Sequence, residues 1–118
     1  MYTIAKQFSF DAAHRLHGLP PEHKCSHLHG HTYTVEVVLR SLILNDVGFV
    51  VDYNDLAAFK RYLDEEFDHR YLNEVFPLNP TAENLARHFY DWCKAKWPET
   101  CKVRVSETPK TWAEYSDE

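Results

Sequence analysis

The chain carries His14 and, further on, the run Cys25-Ser26-His27-Leu28-His29-Gly30-His31. Imidazole nitrogen and thiolate sulfur are ligands that zinc takes readily, and both groups move protons near neutral pH. His29 and His31 are two residues apart, so on a strand both rings project from one face and can close on one ion. His14 ends an earlier run in which Ile4, Phe8, Phe10 and Ala12 share its parity. Antiparallel pairing of the two runs sets the end of the first beside the start of the second, and the three imidazoles meet. Three histidines without a fourth protein ligand form a catalytic zinc pattern, because the open position can take water or a substrate oxygen. On these residues the chain reads as a small zinc enzyme.

Cys25 admits three readings. As a fourth ligand it would close a structural site; as a base it would leave the metal open, its proton affinity lowered by metal and histidines from the ordinary value of about 8.5. Otherwise it is a free loop thiol. Spacing alone does not decide between ligand and base. His17, His23 and His27 lie in the proline-containing loop at irregular spacing and are read as solvated. In Asp68-His69 a carboxylate adjoins a histidine and could raise its basicity, although an aspartate at a helix end is also ordinary. Glu107 shares parity with Cys101, Val103 and Val105, so it ends an apolar strand face, where a planar pair of N–H donors on a ligand would match it. The alternative is that the strand ends a residue early and Glu107 faces water.

These groups need elements to hold them. Residues 2–14 and 29–41 alternate as long strands, the second with His29, His31, Tyr33, Val35, Val37 and Leu39 on one face. A loop from Leu16 to Leu28 joins them, and Gly48 marks a later turn. Asp52 or Asn54 can cap a helix bearing Leu56, Phe59, Leu63 and Phe67. Asp68 to Pro80 reads as a connecting loop. Thr81, before Glu83, starts a second helix with Leu85, Phe89, Trp92 and Cys93 buried, and Pro98 ends it. Strands follow over Cys101–Glu107 and Thr111–Tyr115. The order ββααββ predicts an α+β fold: an antiparallel four-stranded sheet with both helices on one face. Strands this long leave open edges, and pairing between subunits is the natural way to cover them.

Composition narrows the class. At 118 residues the chain holds one domain, 1–118, with one core. The sequence shows no secretory or transit signal and no apolar run of membrane-spanning length, so a cytoplasmic protein without a membrane partner is expected. The 3 cysteines have no framework spacing, which suits a reducing compartment. A net charge of −5 argues against nucleic acid, and any polyanionic substrate must be met by local cations such as Lys24, Arg70 or Lys110.

Six runs then resemble a known family: Phe10-Asp11-Ala12-Ala13-His14-Arg15-Leu16, Cys25-x3-His29-Gly30-His31, Val51-Asp52-Tyr53, Phe67 to Asn73, Asn79 to Leu85, and Val105-Ser106-Glu107-Thr108-Pro109. Together they are similar to the 6-pyruvoyl-tetrahydropterin synthase superfamily, over nearly the whole chain. The three-residue gap before His29 resembles the 6-carboxy-5,6,7,8-tetrahydropterin synthase branch, the gap in the pyruvoyl branch being typically longer. The resemblance implies a tunnelling fold, in which three subunits form a twelve-stranded barrel and two rings stack into a homohexamer. It implies a zinc-dependent lyase that converts 7,8-dihydroneopterin triphosphate to 6-carboxytetrahydropterin, releasing acetaldehyde and triphosphate, toward queuosine and other deazapurines. By position, His14, His29 and His31 would hold Zn2+. Cys25 would accept a proton with help from Asp68 and His69, and Glu107 would anchor the pterin's amino-pyrimidine edge, with Thr81 nearby.

Three other readings stand beside this one. The chain could carry out the pyruvoyl-forming reaction on the same substrate. It could be a non-catalytic zinc module with Cys25 as fourth ligand, which would leave Asp68, His69 and Glu107 without shared purpose. It could also be a hydrolase using metal-bound hydroxide, for which no thiol is needed.

Overall fold

The computed structural model describes residues 1–118. Two strands of equal length dominate it: β1 (Tyr2–His14) and β2 (His29–Ser41). They pair antiparallel without interruption, from Tyr2 opposite Ser41 to His14 opposite His29. Helix α1 (Ala57–Glu66) follows a 3-10 turn over Tyr53–Leu56, whose entry is capped by the Asp52 side chain accepting from the Asn54 N–H at 2.9 Å. Then come a two-residue strand β3 (Arg70–Tyr71), a single-turn helix α2 (Leu72–Val75) and the long helix α3 (Ala82–Lys96). Strands β4 (Thr100–Thr108) and β5 (Thr111–Tyr115) close the chain.

The sheet order is β3-β1-β2-β4-β5. The expected four antiparallel strands are present, but the sheet has five, and it is mixed because β3 runs parallel to β1 at Ala12 and Ala13. Residues 68–80 are therefore more than a connecting loop. Both helices pack on one sheet face, as the ββααββ reading requires. Phe8, Phe10, Tyr33, Val35, Val37, Val103 and Val105 form one cluster with Phe59 and Leu63 of α1 and Leu85, Phe89 and Cys93 of α3. Phe10 stacks on Tyr33 with ring centroids 4.8 Å apart, at the end of the core nearest His14.

One strand face departs from simple alternation. The β2–β4 register shifts between Val38 and Leu39, and the extra residue is Cys101: Val38 faces Lys102 while Leu39 faces Thr100. Such a bulge inverts parity on one side of itself. Thr100 thus takes the fully buried place and Cys101 is only half-buried, whereas Val103 and Val105 keep the inward face.

Candidate metal centre and active site

The β1–β2 register brings the histidines together. His14 is fully buried directly opposite His29, and His31 lies opposite Ala12, two residues along. Ligand atoms of His14, His29, His31 and Glu107 all lie within 4.8 Å of one another, a set able to hold a metal ion. Cys25 is not among them, so the fourth group of the cluster is a carboxylate from β4 and not the thiol.

Hydrogen bonds set the neutral tautomer of two rings. His14 Nδ1 donates to the Pro80 carbonyl at 2.8 Å, and His29 Nδ1 donates to the His27 carbonyl at 2.7 Å. A carbonyl only accepts, so each neutral ring carries its proton on Nδ1 and a lone pair on Nε2. Those two Nε2 atoms face each other at 2.9 Å. Two lone pairs at that distance repel unless a cation lies between them. Anchoring the far nitrogen of each ring to a carbonyl is also how metal-ligating histidines are oriented.

His31 completes the set. Its Nε2 is buried and lacks a hydrogen-bond partner, although Glu107 Oε2 approaches within 2.8 Å in a poorly aligned direction. Burial lowers the His31 pKa, with His14 and His29 acting in the same sense and Glu107 opposing, which favours the neutral, ligating ring. Glu107 Oε2 lies 3.5 Å from His14 Nε2. A positive charge at the His14 contact, and at His31 and His29, holds the Glu107 carboxyl below the usual range against burial; with these rings neutral, a cation seated among them is what supplies that charge. An orphaned buried nitrogen beside two opposed lone pairs fits a bound cation.

Asp68 and His69 do form a pair. Asp68 Oδ2 accepts from His69 Nδ1 at 2.8 Å, while Asp68 Oδ1 accepts the Asp11 N–H at 2.9 Å. The His69 N–H donates to the Asp11 carbonyl at 2.6 Å. The pair is thereby tied to β1 three residues before His14. His69 has φ 58°, in the left-handed region that non-glycine residues seldom occupy. Strain of this kind, of order 1 kcal/mol or more, recurs at functional positions. The Asp68 hydrogen bond and charge raise the His69 pKa.

Two clefts meet at this point. One, of about 710 Å³, runs along the open sheet face past Thr34, Glu36 and Arg104 to His31 and Glu107. The other, of about 600 Å³, joins His31 to His69 and Arg70, with Gly30 and Thr32 on the wall of both. Cys25 sits in a 3-10 turn, Lys24–Ser26, entered through the His23 ring, which accepts the Cys25 N–H at 3.0 Å. Thr81 Oγ1 accepts the Asn84 N–H at 3.1 Å as the cap of α3, which leaves its O–H free to donate. Of the cations named from sequence, Arg70 lines the second cleft, Lys24 lies in the Cys25 turn, and Lys110 lies in the β4–β5 turn.

Sequence reasoning missed three parts of this arrangement. The carbonyls of Pro80 and His27 carry no signal in side-chain identity. Tyr33 Oη, 3.0 Å from His14 Nδ1, was visible only as one more inward-facing residue.

The family model for 6-pyruvoyl tetrahydropterin synthase matches residues 3–118. The chain belongs to this family. A 6-carboxy-5,6,7,8-tetrahydropterin synthase of Synechocystis sp. is 37% identical, over 98% of this chain and 93% of its own. One from Rickettsia bellii is 32% identical over 97% and 99%. Within the same family, a 6-pyruvoyl tetrahydrobiopterin synthase of Drosophila melanogaster is 34% identical over 95% of this chain and 77% of its own. The solved 6-pyruvoyl tetrahydropterin synthase of Caenorhabditis elegans superposes with a TM-score of 0.87 at 29% identity, covering 99% of this chain and 96% of that one.

Proposed function

We propose that the chain is a zinc-dependent 6-carboxy-5,6,7,8-tetrahydropterin synthase, a lyase of queuosine biosynthesis. It converts 7,8-dihydroneopterin triphosphate to 6-carboxytetrahydropterin with release of acetaldehyde and triphosphate. The observation that carries this reading is the meeting of two clefts at His31, one leading to Glu107 and the other to His69. A planar ligand anchored at one end would be flanked by the histidine cluster and the Asp68–His69 pair.

In this reading His14, His29 and His31 hold the ion, and zinc supplies Lewis-acid polarisation of the substrate's side-chain hydroxyls when bound. Glu107 accepts two parallel N–H donors from the amino-pyrimidine edge of the pterin, which sets the ring's orientation beside the cluster. Cys25 takes a proton from the side chain. His69, kept basic by Asp68, relays protons to and from the reacting carbons. Arg70, on the wall of the second cleft, offers a cation to the triphosphate.

The chain is proposed to work as a homohexamer, a dimer of trimers. Most of β1 is open on its outer edge because β3 covers only Ala12 and Ala13, and β5 forms the other edge. The loop after β2 also exposes Leu42, Ile43 and Val47, by 73%, 78% and 75%. Open edges and apolar side chains of this kind favour subunit pairing.

A second reading, formation of the 6-pyruvoyl product from the same substrate, is favoured by the name of the Drosophila relative and of the solved Caenorhabditis structure. Mass analysis after incubation with 7,8-dihydroneopterin triphosphate separates the two. The carboxylated pterin with acetaldehyde supports the first; a pterin retaining all three side-chain carbons supports the second.

A further inference from the structure

Two asparagine side chains, distant in sequence, hold the segment that leads into the Cys25 loop. Asn73 Oδ1 accepts the Arg15 N–H at 2.9 Å, and Asn73 Nδ2 donates to the Arg15 carbonyl, also at 2.9 Å. Asn79 repeats this two residues on: Oδ1 accepts the His17 N–H at 3.0 Å and Nδ2 donates to the His17 carbonyl at 3.1 Å. A primary amide presents donor and acceptor side by side, as the N–H and C=O of one residue on a neighbouring antiparallel strand do. Arg15 and His17 are thus paired as residues of a strand would be, with amides in place of a partner backbone. β3, which pairs with Ala12 and Ala13, stops at Tyr71, two residues before Asn73.

Leu16, between the two clamped residues, directs its N–H elsewhere and donates to the Cys25 carbonyl at 2.8 Å. The remaining Nδ2 proton of Asn73 goes to His17 Nε2 at 3.2 Å, so both its donors are used. The path from Asn73 and Asn79 through Leu16 to Cys25 begins one residue beyond His14. It fixes the thiol's backbone against the strand that carries the buried histidine.

We propose that Asn73 and Asn79 are positioning residues that hold the backbone of Arg15–His17 fixed and so place Cys25 relative to the histidine cluster. This rests on the reading of Cys25 as the proton acceptor. A misplacement of about 1 Å at a reacting group can cost about 10²-fold in rate, even when its cause lies far from the chemistry.

The test uses the full-length chain as Asn73→Ala, Asn79→Ala and Asn73→Asp. Zinc content, hydrogen exchange at the Leu16 amide, the rate of Cys25 alkylation by iodoacetamide read on its own peptide, and kcat with KM are measured. The alanine variants should keep zinc, exchange Leu16 at least about 10-fold faster, and speed Cys25 alkylation as its backbone anchor is lost. They should lose about 10- to 100-fold in kcat with KM little changed. Asn73→Asp keeps the acceptor for Arg15 and loses both donors, so it should fall between wild type and Asn73→Ala. Unchanged Leu16 exchange and alkylation would overturn the proposal, as would altered exchange with unchanged kcat. If Asn73→Ala does not fold, Asn79→Ala and Asn73→Asp carry the same comparison. A wild-type chain that turns over no pterin sinks the functional reading, while exchange and alkylation still decide whether the asparagines place Cys25.

Discussion

Nε2 of His14 and Nε2 of His29 face each other at 2.9 Å, with both Nδ1 protons committed to backbone carbonyls. The purified chain should accordingly carry one zinc ion per subunit, measured by elemental analysis. His31→Ala should lose most of it. His27→Ala should retain it, because residue 27 contributes its carbonyl and not its ring. His23→Ala should retain it too, since that ring caps the turn at Cys25.

Glu107 belongs to the same cluster by distance, so its role as ligand or as pterin anchor is separable by experiment. Glu107→Gln should keep zinc and weaken pterin binding by about 10- to 100-fold, the loss expected when a charge-assisted hydrogen-bond pair is replaced by a weaker one. Calorimetry with a pterin product on the zinc-loaded protein measures this. Loss of zinc in that variant would make Glu107 a fourth ligand.

Cys25→Ala should leave zinc content and melting temperature near wild type while turnover falls by about 10²–10⁴-fold, the usual cost of removing a general base. A variant that sheds its zinc would mean instead that the thiol ligates.

The Asp68–His69 pair predicts a pH signature. The Asp68 hydrogen bond and charge raise the His69 pKa, so by NMR titration its midpoint should lie above the ordinary value of about 6.5. Asp68→Asn keeps an oxygen for the Asp11 N–H and should return the midpoint toward that value. The sign for stability follows from the raised folded-state pKa. The pair's contribution is fully present below the unfolded value and is lost as pH rises through the folded one.

Light scattering in dilute buffer should give the mass of six chains. A monomer would leave the open edge of β1 and the exposed Leu42, Ile43 and Val47 unexplained.

Much of this was legible in the sequence because strand parity is a period of two carried over many residues. The inward faces of β1 and β2 and the meeting of three histidines follow from that signal, and the cap at Thr81 from a threonine set just before Glu83 and an apolar helical stripe. β3 and α2 were not legible: two residues cannot show an alternation and one turn cannot show a helical stripe. The bulge at Cys101 was hidden for a related reason, since an extra residue leaves composition unchanged while inverting parity. The amides of Asn73 and Asn79 escaped because they pair with backbone, and a backbone partner has no residue type to recognise.

The pairing of β1 with β2 runs through thirteen residues of each strand without a slip, and the histidine cluster stands at its last rung. Inserting a single residue next to that rung would turn rings toward the opposite face, so the cluster tolerates no such change in either strand. The connection between the strands is different. Around Gly18 and Leu19 the backbone takes part in none of the contacts that hold Arg15, His17 or Cys25. Length can be gained or lost there without moving a ligand. The fold thus separates a part that must stay fixed to bind an ion from an adjoining part free to be rewritten, and new selectivity could arise there by insertion.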